Sequence, residues 1–202
     1  VSKSVKKGER LYEGKAKILY TTDNPSWLIQ EFKDSVTAFD AVKKATMEGK
    51  GALNCSISTL IFQWLKKRGR IPTHFIRRLS DTEMLIRRLK MIPVEVVLRN
   101  RIAGSFAKRM GREEGETLSP PVIEFYLKDD SLHDPWMNED HIIAFHLATP
   151  LEIKKMKVLT HRINGLLTAL FYDHELILVD FKLEFGKDAR GRLYLGDEFT
   201  PD

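Results

Sequence analysis

The sequence predicts an α+β fold of two lobes, built on mostly antiparallel sheets. Segments of β composition come in clusters instead of alternating singly with helices, which argues against a regular parallel α/β sheet. Two stretches, one from Gly49 to Gly69 and one opening at Thr149, carry helical periodicity. A short connector, Lys90-Met91-Ile92-Pro93, lies between two β-rich regions. It divides the chain into an N-terminal lobe, residues 1–90, and a C-terminal lobe, residues 91–202.

The first lobe opens with β-type segments at Arg10–Thr21 and Trp27–Phe32, separated by a turn cluster, Thr22–Ser26, that holds Asn24-Pro25. A polar stretch follows at Lys33–Asp40. In the helix from Gly49, the residues Leu53, Ile57, Leu60, Ile61, Trp64 and Leu65 recur on one face, which predicts the buried side. Gly69 is placed to end it. Thr73–Leu79 and Met84–Leu89 flank Ser80-Asp81-Thr82-Glu83 as a hairpin.

In the second lobe, Met91-Ile92-Pro93 breaks into a strand at Val94–Arg99, with Val94, Val96 and Leu98 on one face and Glu95, Val97 and Arg99 on the other. Ser105 reads as the N-cap of a short helix that Gly111 stops. Residues 112–148 are turn-rich, with Ser119-Pro120-Pro121 and a polar loop at Lys128–His141. Thr149-Pro150-Leu151-Glu152 is a capping box with proline at the first helical position. The helix that it starts has a stripe of Met156, Leu159, Ile163, Leu166, Leu167 and Leu170. A hairpin, Leu176–Phe199, closes the chain. Its first strand, LILVDFKLEF, puts Ile177, Val179, Phe181, Leu183 and Phe185 on one side and Asp180, Lys182 and Glu184 on the other, with Leu178.

Composition narrows the function. The 202 residues are 43% hydrophobic and 30% charged, the range of a globular enzyme. The net charge of +5 favours anionic ligands. Basic residues form only short clusters and aromatics make up 9%, too little for the interleaved basic and aromatic surface of an RNA-binding module. Cys55 is the one cysteine, so neither an intrachain disulfide nor a cysteine zinc site can form. No apolar run approaches 18 residues and the N-terminus lacks an apolar signal core, so neither a membrane nor export is expected and the location is read as cytoplasmic. There is no HExxH or GxSxG pattern.

Three segments carry candidate chemistry. Asp180, Lys182 and Glu184 on one strand, with Gly196-Asp197-Glu198 on the next, would suit Mg²⁺ and a nucleotide phosphate, or form the solvated face of a hairpin. In YEGKAK, Lys15 and Lys17 share a face if the segment is a strand, and can bracket a polyphosphate or simply be solvated. In RNRIAGS, Arg99 ends a strand and Gly104-Ser105 opens a helix, an arrangement that binds phosphate or merely turns the chain.

These segments occur together with LYEGKAK at Leu11–Lys17, KGALN at Lys50–Asn54, SDTE, PVEVVLRNRIAGSFAKRMG at Pro93–Gly111, HDPWMNED at His133–Asp140 and LGDEFTPD at Leu195–Asp202. In this combination the chain resembles the phosphoribosylaminoimidazole-succinocarboxamide synthases, or SAICAR synthetases, over essentially its whole length. The resemblance implies two α+β lobes with ATP in the inter-lobe cleft, loosely like ATP-grasp and kinase folds. It implies an ATP-dependent ligase of de novo purine biosynthesis that joins L-aspartate to the carboxylate of carboxyaminoimidazole ribotide through an acyl phosphate. By the family pattern, Lys15 and Lys17 hold the ATP phosphates, and the backbone of the connector at Lys90 and Met91 meets adenine. Glu184 and Asp197 ligate Mg²⁺, while Asp180 and Lys182 line the phosphoryl-transfer centre. Arg99 and Ser105 bind the ribotide phosphate, and Asp40 and Lys50 lie in the cleft. The pattern continues past Asp202 with an arginine that contacts the nucleotide substrate and then a terminal helix. A homodimer is expected, with no nucleic-acid partner. A small-metabolite kinase would share the lysines and metal carboxylates, and differs in lacking aspartate-dependent turnover.

Overall fold

The computed structural model describes residues 5–38 and 43–201. The chain divides into two compact units. One comprises Val1–Lys67, Pro72–Lys90 and Asp188–Asp202, and the other Arg68–Ile71 and Met91–Lys187. The last fifteen positions thus belong with the N-terminal part, where a single division at residue 90 assigns them to the C-terminal one.

The first unit is built on strands β1 (Lys7–Glu13), β2 (Lys17–Thr22), β3 (Trp27–Phe32), β4 (Ser35–Ala38), β5 (Lys43–Thr46), β6 (Phe75–Arg78) and β7 (Glu83–Arg87), with helix α1 (Lys50–Gly69). Its five-stranded sheet has the order β1-β2-β3-β7-β6, with every neighbour antiparallel. β4 and β5 form a separate antiparallel ribbon. The segment Arg10–Thr21, expected as one strand, is two. The Gly14 N–H donates to the Lys17 carbonyl at 2.9 Å and turns the chain between β1 and β2.

Helix α1 buries a different face from the one its aliphatic periodicity predicts. Leu53 and Leu60 are each 57% exposed. The buried side is Gly51, Asn54, Cys55, Ser58, Thr59, Ile61, Phe62 and Leu65. Close approach explains the choice: a Cβ on Gly51 would lie 2.7 Å from the Phe32 carbonyl oxygen. The Ser58 hydroxyl donates to the Phe199 carbonyl at 2.7 Å and accepts from its N–H at 3.0 Å, so this buried polar group is satisfied. Phe62 stacks on Phe75 at 5.8 Å and meets Phe199 edge-on at 5.2 Å, forming the aromatic centre of the unit.

The second unit contains β8 (Lys90–Arg101), α2 (Gly104–Met110), β9 (Thr117–Leu127), β10 (Trp136–Met137), α3 (Glu139–Ala144), α4 (Pro150–Tyr172) and β11 (Asp180–Lys187). Its strands lie in the order β10-β9-β8-β11. Pro93 does not interrupt β8, which runs through it for 12 residues. The Pro93 carbonyl still accepts from Lys128 N–H at 3.2 Å, so only the donor of the ladder is lost. β9 spans eleven residues of the region read as turn-rich, prolines included. It pairs with β8 from Val94↔Leu127 to Arg99↔Val122. α2 begins at Gly104 with Ala103 as its N-cap, not Ser105, and ends as expected on Gly111 in the left-handed conformation, φ 61. α4 carries the expected capping box of Thr149 and Glu152 and buries Ile153, Met156, Thr160, Ile163 and Leu167. Asn100 and Asn164 exchange side-chain hydrogen bonds at 2.8 and 2.9 Å, fixing α4 to β8. β11 starts only at Asp180, and Leu176 and Ile177 before it are exposed. The Val179 carbonyl there accepts from Asn100 N–H at 2.8 Å.

After the turn Asp188–Arg192 the chain re-enters the first unit as β12 (Leu193–Leu195), which bridges Thr73 in parallel. The fold is α+β with antiparallel pairing throughout the two main sheets, as the clustering of strand segments predicts. Among the described residues, no helix is long and apolar enough to cross a membrane.

Candidate active site

Each unit carries a polar group built from the residues singled out in the sequence. In the first unit the centre is Lys17, the first residue of β2. Its ammonium pairs with Asp197 and with Glu198, both carried by the segment after β12. Gln30, buried on β3, donates to Glu198 Oε2 at 3.2 Å. Asp197 adopts φ 60, a conformation that aspartate tolerates better than most residues. The His74 ring is 3% exposed, edge-on to Phe62 at 5.1 Å, and neither ring nitrogen has a hydrogen-bond partner. Burial, aided by the charge of Lys17, pushes its pKa down to about 3.

Lys15 is in the turn between β1 and β2, so it does not share a strand face with Lys17. Its carbonyl accepts from the Ser35 hydroxyl at 2.7 Å. Lys50 opens α1 and its ammonium donates to the Ser35 carbonyl at 3.4 Å. Beside it, the Asp34 carboxylate accepts from the N–H groups of Gly49 and Gly51 at 3.3 and 2.8 Å. The sequence reading left Asp34 without a role, although a carboxylate at a helix start is a recognisable signal. Asp40 lies outside the described residues. Lys90 and Met91 are exposed at the start of β8.

The second unit gathers its charges on one face of the sheet. Alternation along β8 puts Glu95 and Arg99 on that face, and along β11 it adds Asp180, Lys182 and Glu184. Arg99 Nη1 donates to Asp180 Oδ2 at 2.7 Å. Lys182 donates to Glu95 at 2.7 Å and to Glu184 at 3.5 Å. Lys128, just beyond β9, reaches Glu95 at 3.3 Å and also bonds Glu184, which is 3% exposed. Burial disfavours the charged form of Lys128, but the two carboxylates outweigh it and raise its pKa well above the ordinary lysine value. Arg99 is similar: burial works against its charge, and Glu124 and Tyr126 more than restore it.

The structure therefore joins Arg99 to Asp180, Lys182 to Glu184, and Lys17 to Asp197. Ser105 is exposed on α2, and the first N–H of that helix, from Gly104, is taken by Glu114 Oε1 at 2.8 Å. Sequence reasoning missed Lys128, Glu124 and Arg109 as partners. Glu95 was within reach, because it shares the strand face of Arg99. Glu124 was hidden in a strand that its prolines disguised. Among the described residues, no three His, Cys, Asp or Glu side chains are grouped to hold a metal on their own.

Comparison with known proteins gives this arrangement its setting. A family model described as SAICAR synthetase matches residues 10–202. The phosphoribosylaminoimidazole-succinocarboxamide synthase of Persephonella marina is 54% identical over 198 residues, covering 98% of this chain and 82% of the relative. That of Lysinibacillus sphaericus is 51% identical over 196 residues, covering 97% and 83%. The crystal structure of the Ehrlichia chaffeensis synthase superimposes with a TM-score of 0.92 at 46% identity, covering 96% of this chain and 83% of that one. A SAICAR synthetase solved in complex with ADP superimposes at 0.90 and 44% identity, covering 95% and 81%. The class these matches define is that of the ATP-dependent carbon–nitrogen ligases. The chain belongs to the SAICAR synthetase family. Its reaction is the ATP-dependent ligation of L-aspartate to carboxyaminoimidazole ribotide in purine biosynthesis.

Proposed function

We propose that this ligation runs through an acyl phosphate. The ribotide carboxylate attacks the γ-phosphorus of ATP and ADP leaves. The aspartate amine then attacks the carbonyl carbon of the mixed anhydride, loses a proton, and inorganic phosphate leaves with one former carboxylate oxygen. Such chemistry needs positioning and charge neutralisation more than a covalent nucleophile, and lysines and arginines interleaved with carboxylates suit it. The observation that carries the reading is the sheet face of the second unit. There Arg99 bonds Asp180 and Lys182 bonds Glu184, side chains that the family resemblance assigns to one reaction.

In this reading Arg99 and Ser105 hold the ribotide phosphate, and Asp180 and Lys182 surround the transferring group. Lys15 and Lys17 bind the ATP phosphates, with adenine against the backbone at Lys90 and Met91, and Lys50 and Asp40 complete the substrate contacts. Glu184 and Asp197 are the carboxylates for Mg²⁺. The absence of a three-carboxylate cluster fits this ion, which is commonly held by one or two carboxylates together with substrate phosphates and water. When bound, it would neutralise charge on the phosphates. The enzyme acts in the cytoplasm as a homodimer on small molecules.

The route is tested with ribotide labelled with ¹⁸O in its carboxylate. One labelled oxygen should appear in the released phosphate, and ADP release should require the ribotide. Unlabelled phosphate would remove the acyl phosphate. Turnover that ignores aspartate would point instead to a metabolite kinase.

A further inference from the structure

Glu124 has no part in the roles given above, yet it is the most heavily engaged carboxylate of the second unit. It lies on β9 opposite Val97 of β8 and is 6% exposed. Arg99 Nε donates to its Oε2 at 2.7 Å, and the Tyr126 hydroxyl donates to the same oxygen at 3.0 Å. Arg109, from α2, bonds the other oxygen and also donates to the Tyr126 hydroxyl at 3.2 Å. The guanidinium carbons of Arg99 and Arg109 lie 5.2 and 5.4 Å from the centre of the buried Phe106 ring. A buried carboxylate is costly unless it is paired and hydrogen-bonded, and here two cations and a phenol converge on one. Asp180 completes a group of four side chains whose charges cancel.

The two carboxylates hold Arg99 differently. Glu124 takes Nε, the position nearest the side-chain stem, from within the sheet face. Asp180 takes Nη1 at the tip, and its side chain is 37% exposed. An incoming phosphate competes with Asp180 for the tip and leaves the Nε bond intact. An arginine already oriented from behind loses less freedom when its ligand arrives, which is preorganisation.

We propose that Glu124 is a positioning residue for substrate recognition, which fixes the Arg99 guanidinium so that its tip meets the ribotide phosphate, with Arg109 and Tyr126 holding Glu124 in place. The proposal rests on the reading of Arg99 as the phosphate residue. Glu124 touches no substrate and acts only through Arg99.

The test is Glu124→Gln, which keeps shape and one acceptor and removes the charge, assayed with ribotide, ATP and aspartate varied separately. The ribotide KM should rise about ten- to a hundredfold, the scale for losing a group that orients a ligand-binding side chain, with the KM for ATP unchanged. The corresponding riboside, lacking the phosphate, should be used as well by the variant as by the parent. In an Arg99→Ala background, Glu124→Gln should add no further rise, because the two act as one unit. Equal loss on ribotide and riboside, or additive effects in the double variant, would overturn the proposal. If Glu124→Gln does not fold by circular dichroism, Tyr126→Phe decides by the same comparisons, with about a threefold rise expected for one lost hydrogen bond. Arg99→Ala with an unaltered ribotide KM removes the phosphate reading itself. A selective Arg99→Ala effect with a silent Glu124→Gln removes only the role of Glu124.

Discussion

The polar groups of the two units are assembled in opposite ways. In the second unit, Glu95, Arg99, Asp180, Lys182 and Glu184 alternate along two strands that are neighbours in one sheet. Regular β geometry places them on one face, and the contacts follow from register. In the first unit, Lys17 meets Asp197 and Glu198 across a separation of 180 residues. One partner starts a strand, and the others sit on an irregular segment with a left-handed residue. A repeating secondary structure can build a site whose residues are visible in the sequence pattern. A site assembled from a strand end and a returning tail leaves no such trace.

The sharpest test of this contrast is Arg99→Ala. It should raise the ribotide KM by a factor corresponding to ~2–5 kcal/mol, the usual loss when a paired, desolvated charge is truncated. The ATP KM should stay as it was, and a shift in both would mean that the two polar groups are not separate in role. Next come the carboxylates, one from each group. Glu184→Ala and Asp197→Ala should each lower turnover about a hundredfold, ~3 kcal/mol of barrier, and the loss should deepen at low Mg²⁺. Near-normal turnover of both at low Mg²⁺ would sink their assignment.

His74 sharpens the comparison on the side of stability. Its pKa falls from 6.5 to about 3 on folding, so between those values the unfolded chain binds the extra proton. The stabilising contribution of the neutral ring is complete above pH 6.5. It is lost as pH falls towards 3, ~2 kcal/mol of it by pH 5. Urea unfolding between pH 7.5 and 5 should show this slope, and His74→Gln should flatten it. An unchanged slope would show that other groups set the acid sensitivity. The smallest effect is that of Lys17→Ala: the ATP KM should rise about tenfold, ~1.4 kcal/mol, with the ribotide KM unmoved. If neither ATP KM nor kcat changes, Lys17 serves only to hold Asp197 and Glu198.

Local signals explain what was legible. The capping box at Thr149 and the stop at Gly111 depend on a few adjacent residues, and α4 and the end of α2 follow them closely. The alternation Asp180-Lys182-Glu184 survives because β11 is regular there. Where tertiary contacts decided, the pattern misled. The buried face of α1 is chosen by the close approach of Gly51 to Phe32 and by the bonds of Ser58 to Phe199, which a count of aliphatic residues does not register. Ser119-Pro120-Pro121 has the composition of a turn, yet it lies inside β9, and with that strand went Glu124. Lys15 and Lys17 shared a face only on the assumption of one continuous strand, which the Gly14 turn interrupts.

The segment bearing Asp197 and Glu198 is held at both ends. Leu195 is fixed by its N–H to the Pro72 carbonyl and by its carbonyl to the His74 N–H, each at 2.8 Å, and Phe199 by both of its backbone polar groups to Ser58. Only Gly196, Asp197 and Glu198 lie between these two clamps. The span therefore acts as a ruler. Exchanging a side chain within it alters the chemistry that Lys17 meets but leaves the spacing intact. Adding or removing one residue forces a choice between releasing a clamp and presenting the wrong neighbour to Lys17. In this stretch, length is under tighter constraint than composition.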